Sequence, residues 1–348
     1  MHFTEIKQNY YRSVMLWLIL LTIMLFLIII IGGLTRLTDS GLSMVDWQPL
    51  LGTIPPLNYN QWMEVFNQYK LTPEFIFVNK NMELEEFKFI FWWEWFHRFF
   101  ARLIGIVFVF PFIYFFFKKY LNKFFYKRFT ILFFLGLLQA FVGWWMVKSG
   151  LVNDPYVSQY RLTFHLINAV IIYCLLVWTC IEYYFFKSIR FISSFNSKEF
   201  WIFLSITLVF LTIFSGGFMA GSHAGQSFNT YPLMNDKIIP DDIYLVNLGI
   251  LNIFENVVTI NFNHRWLGTI TFIFTFSFFS YLIFNNFIKL SIKIIILVLV
   301  VLTFQFTLGI MALLSNVAIE YGSLHQTNSI VLLTVLLFAY FKSKLNSE

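Results

Sequence analysis

The sequence predicts an all-α membrane protein with eight transmembrane helices, arranged as two pseudo-symmetric four-helix bundles. Hydrophobic residues make up 59% of the 348 residues, charged residues make up only 12%, and the mean hydropathy is +0.72. A water-soluble chain of this length could not bury so large an apolar fraction. Eight long apolar segments and a repeat between the two halves of the chain complete the prediction.

The eight apolar segments are each long enough to cross a bilayer, which takes roughly 20 residues of helix. We place them at residues 14–33, 94–117, 129–148, 161–186, 199–220, 262–284, 291–315 and 324–341. The first segment follows Lys7 and Arg12, as the apolar part of a signal peptide would. It is too long for such a part and has no small-residue cleavage site, so we expect it to remain as an anchor.

The lysine and arginine residues between these segments predict that both termini are cytoplasmic. The termini and the loops on their side contain 14 of these residues, whereas the longer loops on the other side contain seven. Basic residues are enriched in the cytoplasmic loops of membrane proteins. The net charge of +6 therefore reflects membrane topology, and no nucleic-acid partner is predicted.

Short motifs recur in the same order in the two halves of the chain. The matching motifs are Gly32-Gly33 with Gly216-Gly217, Gly41-Leu42-Ser43 with Gly225-Gln226-Ser227, His97-Arg98 with His264-Arg265, Gln139 and Gly143 with Gln305 and Gly309, and His165 with His325. The first glycine pair of each half is expected to close its helix. We predict an N-terminal half at residues 1–190 and a C-terminal half at residues 191–348, related by an axis along the membrane normal. The long outer loop, residues 34–93, is expected to contain short helices, such as one at residues 60–70.

Four of the six histidines occupy equivalent places in the repeat. His97, His165, His264 and His325 each lie near the outer end of an even-numbered span, and these spans run in the same direction. Each half therefore places two imidazoles at one depth, as a six-coordinate haem iron requires. Zinc or copper is the alternative for paired histidines, but zinc usually needs a third or fourth ligand. The second half has no cysteine or carboxylate beside its pair, which favours haem.

The two cysteines predict little chemistry. Cys174 and Cys180 lie six residues apart on the fourth span, about 9 Å along the helix axis and on different faces. They cannot form a disulfide with each other. The simplest interpretation is that both are small core residues.

Three arginines lie in or at the membrane close to the histidines. Arg98, Arg102 and Arg265 would be costly there without a partner. Haem propionates at the outer boundary would offset that cost through charge-assisted hydrogen bonds. The alternative is that the side chains reach lipid phosphates.

One position breaks the symmetry between the halves. Glu94 stands three residues before His97, so both side chains point to one face of the helix, whereas the equivalent residue before His264 is Asn261. This difference suggests that one site reacts and the other holds a cofactor. The alternative is an interfacial glutamate in water. Gln139 and Gln305 are expected to form hydrogen bonds between helices instead of touching a ligand.

Taken together, these motifs resemble the haem A synthase family over nearly the whole chain, from about residue 14 to 341. The segments that resemble it are Gly32-Gly33-Leu34-Thr35-Arg36-Leu37-Thr38, Ser40-Gly41-Leu42-Ser43, Glu94-Trp95-Phe96-His97-Arg98, Asn229-Thr230-Tyr231-Pro232-Leu233-Met234 and His264-Arg265. The likeness is greatest to the proteobacterial and mitochondrial subfamily. The other main subfamily has cysteine pairs in its outer loops, which this sequence lacks.

The resemblance implies an oxidoreductase that oxidises the C8 methyl group of haem O to a formyl group, making haem A for cytochrome c oxidase. It implies a haem B cofactor with His264 and His325 as axial ligands, and a substrate haem bound by His97 and His165. Glu94 would assist proton or carbocation chemistry. The iron supplies the oxidation, while the protein supplies orientation and electrostatics.

The resemblance also implies a location and partners. We expect a multi-pass protein of the cell inner membrane, with its haem sites toward the periplasmic side and its surface in contact with membrane lipid. Direct hand-over of haem O from haem O synthase, the protohaem farnesyltransferase, is a hypothesis, and a homo-oligomer is possible.

Two other functions compete with this interpretation. A di-haem cytochrome that oxidises quinol would explain all four histidines but would give Glu94 no role beyond proton uptake. A transporter would require broken helices or polar residues at mid-membrane, whereas this chain keeps its candidate chemical groups, the histidines and Glu94, at the outer edge.

Overall fold

The computed structural model describes residues 8–46, 51–189, 191, 197–285 and 290–345, and helices dominate this part of the chain. Eight helices in the described residues are long and apolar enough to cross a membrane, which confirms an all-α membrane protein. The helices are α1 (Gln8–Leu37), α2 (Tyr59–Tyr69), α3 (Pro73–Phe77), α4 (Leu84–Phe117), α5 (Lys123–Ser149), α6 (Gln159–Tyr184), α7 (Ser197–Gly221), α8 (Asn252–Glu255), α9 (Val257–Phe284), α10 (Ile292–Leu314) and α11 (Ile319–Leu345). Lys7 and the predicted domain boundary at residue 190 lie outside the described residues.

The second spanning helix begins earlier than hydropathy predicts. We expected it from residue 94, but α4 starts at Leu84. The polar residues before the apolar run form a capping box, in which the Glu83 backbone N–H donates to Glu86 Oε2 at 2.9 Å. A helix of 34 residues is about 51 Å long. Since the hydrocarbon core is about 30 Å thick, α4 is long enough to extend well beyond it.

The glycine pairs do not close their helices, so that expectation was wrong. Helix α1 continues through Gly32 and Gly33 to Leu37, and α7 continues through Gly216 to Gly221. A glycine inside a helix costs about 0.5–1 kcal/mol relative to alanine, so a compensating contact is expected. That contact is with the histidines described below.

The outer loop contains the predicted short helix, which is α2. The Asn58 side chain caps it by accepting a hydrogen bond from the Gln61 N–H. Its aromatic face packs on the first turns of α4. This cluster consists of Trp62, Phe66, Tyr69, Phe87, Ile90 and Phe91. Burying one such side chain stabilises the fold by about 1.5–3 kcal/mol, so the cluster holds the loop firmly on α4.

The chain divides into two compact units, Leu20–Ile172 and Met1–Ile19 with Tyr173–Glu348. In the unit that contains residues 173–348, helix α7 packs on α9 and α11, and α10 packs on the same two helices. These four helices therefore form a closed four-helix bundle. In the unit formed by residues 20–172, α4 packs on α2 and α5. The pseudo-symmetry between the halves and the boundary between residues 190 and 191 stay predictions.

The cysteines behave as the spacing predicts. Cys174 and Cys180 are both free thiols and are partly buried. Large apolar side chains are exposed along the spanning helices, among them Phe110, Ile273 and Val300. Exposed apolar side chains on spanning helices are the surface that lipid requires.

Candidate functional site

Each of the four predicted histidines packs against a glycine of the spanning helix that precedes it. A Cβ atom built on the glycine would lie 3.1, 2.9, 3.3 and 2.8 Å from the ring Cε1 atom in the pairs Gly32–His97, Gly143–His165, Gly216–His264 and Gly309–His325. Carbon atoms normally approach to about 3.5–4.0 Å, so a side chain in place of the glycine would displace the ring. The repeat therefore preserves four backbone surfaces on which imidazoles rest.

The histidine pair of the second half faces across a short gap. The ring centroids of His264 and His325 are 6.4 Å apart, and the ring planes are nearly perpendicular at 84°. Two metal–imidazole bonds of about 2 Å each, together with the half-widths of the two rings, span a similar distance. The pair is therefore spaced to hold one metal ion between the rings.

The outward nitrogens of this pair are held by neighbouring side chains. Ser215 Oγ lies 2.7 Å from His264 Nδ1, and the Gln305 amide lies 3.2 Å from His325 Nδ1. Hydrogen bonds to the second ring nitrogen orient histidines that bind metals. In both rings the contact is at Nδ1 and not at Nε2. Ser215 Oγ can accept the Nδ1–H of His264, which leaves Nε2 of that ring for a metal, whereas the Gln305 amide nitrogen can only donate to His325 Nδ1.

The histidine pair of the first half is less completely held. His97 and His165 lie near each other in the first half. The Nδ1 atoms of both rings are buried without a hydrogen-bond partner. Gln139 Nε2 lies 3.2 Å from His165 Nε2 and donates to the His165 carbonyl oxygen at 3.1 Å. The two glutamines thus bond between helices, as predicted, but they contact different nitrogens of the equivalent histidines.

Two buried asparagines complete these contacts and were not predicted. Asn168 Nδ2 donates to Gln139 Oε1 at 2.7 Å, and Asn328 Nδ2 donates to Gln305 Oε1 at 2.9 Å. Each asparagine also donates to a backbone carbonyl of the same neighbouring helix as its glutamine. Each lies three residues after the second histidine of its half. The repeated spacings His-x-x-Asn and Gln-x-x-x-Gly could have identified them.

Glu94 is buried, with an exposed fraction of 2%, which excludes an interfacial glutamate in water. Its Oε2 accepts from Ser43 Oγ at 2.7 Å and from the Met44 N–H at 2.9 Å. Its Oε1 forms an ion pair with Arg98 Nη2 at 2.5 Å. The carboxylate thus joins helix α4 to the outer loop and is ready to act as a fixed negative charge.

Asn261 occupies the equivalent position in the second half. It is fully buried, and its Nδ2 donates to the Ala224 carbonyl oxygen at 2.7 Å. The same position therefore joins a helix to its outer loop in both halves. Only Glu94 can ionise, so the predicted asymmetry is present in the structure.

Arg98 and Arg265, which lie beside the histidines, have buried N–H donors without hydrogen-bond partners. Arg98 Nη2 donates to the Met44 carbonyl at 3.2 Å, and Arg98 Nη1 is buried without a partner. Arg265 donates to the Thr230 carbonyl oxygen, while its Nε and Nη1 are buried without partners. Arg102 is partly buried one helical turn after Arg98. Buried guanidinium donors of this kind fit an anionic ligand group such as a propionate.

The donor set of both sites fits a haem. Imidazole pairs, glycine surfaces beneath the rings and unsatisfied guanidinium donors occur together in each half. Within the described ranges, no group of three or more histidine, cysteine, aspartate or glutamate side chains could hold a metal ion. The third ligand that a zinc site usually needs is thus not found there.

Comparisons with known proteins agree with this chemistry. The profile of a family described as a cytochrome oxidase assembly protein matches residues 15–337. The chain is 40% identical to a haem A synthase of Nitrosospira multiformis, over 96% of this chain and 94% of the relative. It is 38% identical to a haem A synthase of Nitrosomonas eutropha, over 95% and 93% of the two chains. It is 39% identical to a haem A synthase of Wolbachia sp. subsp. Brugia malayi, over 94% and 95%. The chain therefore belongs to the cytochrome oxidase assembly protein family that includes these haem A synthases, as its motifs predicted.

Proposed function

We propose that the protein is a haem A synthase, an oxidoreductase that oxidises the C8 methyl group of haem O to a formyl group, giving haem A for cytochrome c oxidase. The family and the names of its relatives support this activity. The observation that carries the proposal is the difference between buried Glu94 in the first half and buried Asn261 in the second. An enzyme that alters one haem and uses another as cofactor needs unequal sites.

The second site would hold the cofactor, a haem B bound by His264 and His325. The 6.4 Å separation of the two rings and the Ser215 acceptor at His264 Nδ1 support permanent ligation. Arg265 would bind a propionate through its unsatisfied donors. When bound, haem B supplies electron transfer.

The first site would bind haem O as substrate through His97 and His165. Arg98 and Arg102 would bind its propionates, since Arg98 has a buried donor without a partner. Glycines beneath both rings let the imidazoles approach the backbone closely. These side chains would orient the methyl group for reaction, which is a principal contribution that a protein makes to such chemistry.

Glu94 would be the catalytic residue of the first site. Its carboxylate is held in place by Ser43, Met44 and Arg98. A preorganised charge stabilises a transition state without reorganisation at the moment of reaction. The carboxylate can therefore stabilise positive charge that develops beside the methyl group, or accept a proton from it.

The protein would lie in the cell inner membrane, with both termini cytoplasmic and both sites toward the periplasm. The unequal distribution of lysine and arginine supports this orientation. Haem O synthase is the expected supplier of substrate. Reporter fusions at the C-terminus and at residue 152 test this orientation. A reporter at residue 152 that is active in the cytoplasm would show that the proposed orientation is wrong.

A di-haem electron-transfer cytochrome remains the second candidate. The two histidine pairs favour it as much as they favour the synthase. The buried Glu94 favours the synthase, because electron transfer alone requires no carboxylate held by three donors.

The experiment is to express the protein in a host that makes haem O, and to identify the extracted haems by mass spectrometry. The variants are Glu94→Ala and His264→Ala, with Glu85→Ala as the matched control. Glu85 lies on the same helix and is exposed, with its carboxylate paired to Lys88. Haem A or its hydroxylated precursor in the wild type and in the control, but in neither variant, supports the synthase. Haem B and unconverted haem O in all four samples, with no haem A or hydroxylated precursor, would establish the cytochrome instead.

A further inference from the structure

The two glutamines of the repeat contact opposite nitrogens of equivalent histidines. Gln305 lies against Nδ1 of His325, at 3.2 Å. Gln139 lies against Nε2 of His165, also at 3.2 Å. The glutamines are equivalent by sequence, and each is four residues before the glycine on which its histidine rests. The difference therefore lies in the geometry of the two sites.

The position of Gln139 is incompatible with a metal on His165 Nε2. A metal–imidazole bond is about 2 Å long and lies along the direction that a hydrogen-bond partner of the same nitrogen occupies. A haem iron that binds this nitrogen must displace the Gln139 amide. Gln305 lies on the other ring nitrogen, so its amide does not occupy the position of a metal on His325 Nε2 and only has to turn when Nδ1 carries the proton.

Gln139 is held in this position by a second buried side chain. Asn168 has an exposed fraction of 4% and donates both to Gln139 Oε1 and to the Leu135 carbonyl oxygen. These contacts turn the amide nitrogen of Gln139 toward His165. The same nitrogen also donates to the His165 carbonyl oxygen at 3.1 Å, so the amide keeps one acceptor when it leaves the ring.

We propose that Gln139 competes with haem iron for His165 and makes the first site exchange its haem, whereas Gln305 leaves the second site able to retain its haem. A site that receives haem O and releases haem A must let go of the iron in every turnover, and a cofactor site must not. This inference rests on the proposed function, because it assumes that haem binds both pairs.

The test uses purified protein loaded with haem B and haem O, and measures the rate at which each haem transfers to an excess of apomyoglobin. The variants are Gln139→Met and Gln305→Met, a matched pair in which the amide is replaced by an apolar side chain of similar length. A hydrogen bond of ordinary strength contributes about 0.5–1.5 kcal/mol, which corresponds to roughly 2- to 13-fold in a rate or an affinity. We expect haem O to leave Gln139→Met about 2- to 13-fold more slowly than it leaves the wild type. We expect Gln305→Met to release haem B at the same rate as the wild type or faster.

The absorbance spectrum provides a second readout. In Gln139→Met the haem of the first site is expected to gain the low-spin bands of two nitrogen ligands. Asn168→Leu, which removes the side chain that holds Gln139, should change both readouts in the same direction. If Gln139→Met does not fold, the transfer rate and the spectrum of Asn168→Leu test the proposal on their own.

The outcomes separate this inference from the proposed function. If haem O leaves Gln139→Met as fast as it leaves the wild type, or faster, the competition is refuted while both haem sites stand. If the wild type binds no haem at either pair, the proposed function itself is refuted. Slower loss of haem O from Gln139→Met with no slowing at Gln305→Met supports the proposal.

Discussion

Ser43 Oγ donates a hydrogen bond of 2.7 Å to Glu94 Oε2 and so joins the outer loop to helix α4 across 51 residues of sequence. The Met44 N–H donates to the same oxygen. A carboxylate with these donors and an adjacent arginine has a fixed direction. The outer loop therefore contributes to the first site by holding the Glu94 carboxylate.

The first prediction concerns the charge of Glu94. Glu94→Gln keeps the size of the side chain but removes the negative charge, so haem O should bind while its conversion falls by about 100-fold or more, a loss typical of a removed electrostatic group. Ser43→Ala removes one donor and should lower conversion less. The measurement is the ratio of haem A to haem O by chromatography, with Glu85→Gln as the exposed control. Full conversion by Glu94→Gln would rule out an essential charge.

The second prediction concerns the glycine beneath His325. In Gly309→Ala the new Cβ would lie 2.8 Å from the ring Cε1 atom, which forces His325 out of its position. The second site should therefore lose its low-spin haem B spectrum. Gly105→Ala and Gly136→Ala are matched controls, because a Cβ at either position would have no atom within 4 Å apart from those of the adjoining residues and of the same helix backbone. Each control should keep the spectrum and gain about 0.5–1 kcal/mol of stability. An unchanged spectrum in Gly309→Ala would show that the ring does not need this contact.

The third prediction concerns the unsatisfied donors of Arg265. Charge-assisted hydrogen bonds contribute about 1.5–3 kcal/mol each, so Arg265→Gln should weaken haem B retention by at least roughly tenfold. The transfer rate of haem B to apomyoglobin measures this. Arg128→Gln, which lies on α5 over the Phe124 ring, serves as the control. Equal rates for the two variants would mean that Arg265 binds no propionate.

The fourth prediction concerns pH and the outer loop. Burial raises the pKa of Glu74 to about 8 from an ordinary value of 4.5, although Tyr69 donates a hydrogen bond of 2.9 Å to it. Glu94 and Asp39 raise the pKa further, and Arg36 lowers it. The folded chain therefore keeps a proton that the unfolded chain loses, so stability falls as the pH rises from about 4.5 to about 8.

Glu74→Gln mimics the protonated carboxyl and should flatten this dependence. The thermal unfolding temperature of the wild type should fall between pH 5.5 and pH 8.5 by more than that of the variant, since one pKa unit corresponds to about 1.4 kcal/mol. Glu64→Gln, at an exposed position of α2, is the control and should follow the wild type. Parallel curves for the wild type and Glu74→Gln would contradict the prediction.

The sequence predicts the spans and the four histidines because both depend on local pattern. Apolar runs of about 20 residues indicate membrane helices directly, and the repeat makes His97 equivalent to His264 and His165 equivalent to His325. The start of α4 was missed because polar residues at 83–88 hide helical turns from a hydropathy criterion.

The partners of the histidines could not be predicted from local pattern. Gly32 was interpreted as a helix end, whereas it allows the His97 ring to approach the α1 backbone. Ser43 meets Glu94 from a loop 51 residues away. Asn168 acts through Gln139 on another helix. Such contacts depend on how helices pack, and spacing along one helix does not specify them.

Because one edge of each imidazole rests on the main chain of a neighbouring helix, the course of two helices sets how closely the ring can approach that helix. Amino acids on the lipid side of those helices can change freely without moving the ring. A designer who wished to build a two-haem membrane protein could therefore transplant four helix pairs, each with one glycine and one histidine in register, and choose the rest of the surface for a different membrane.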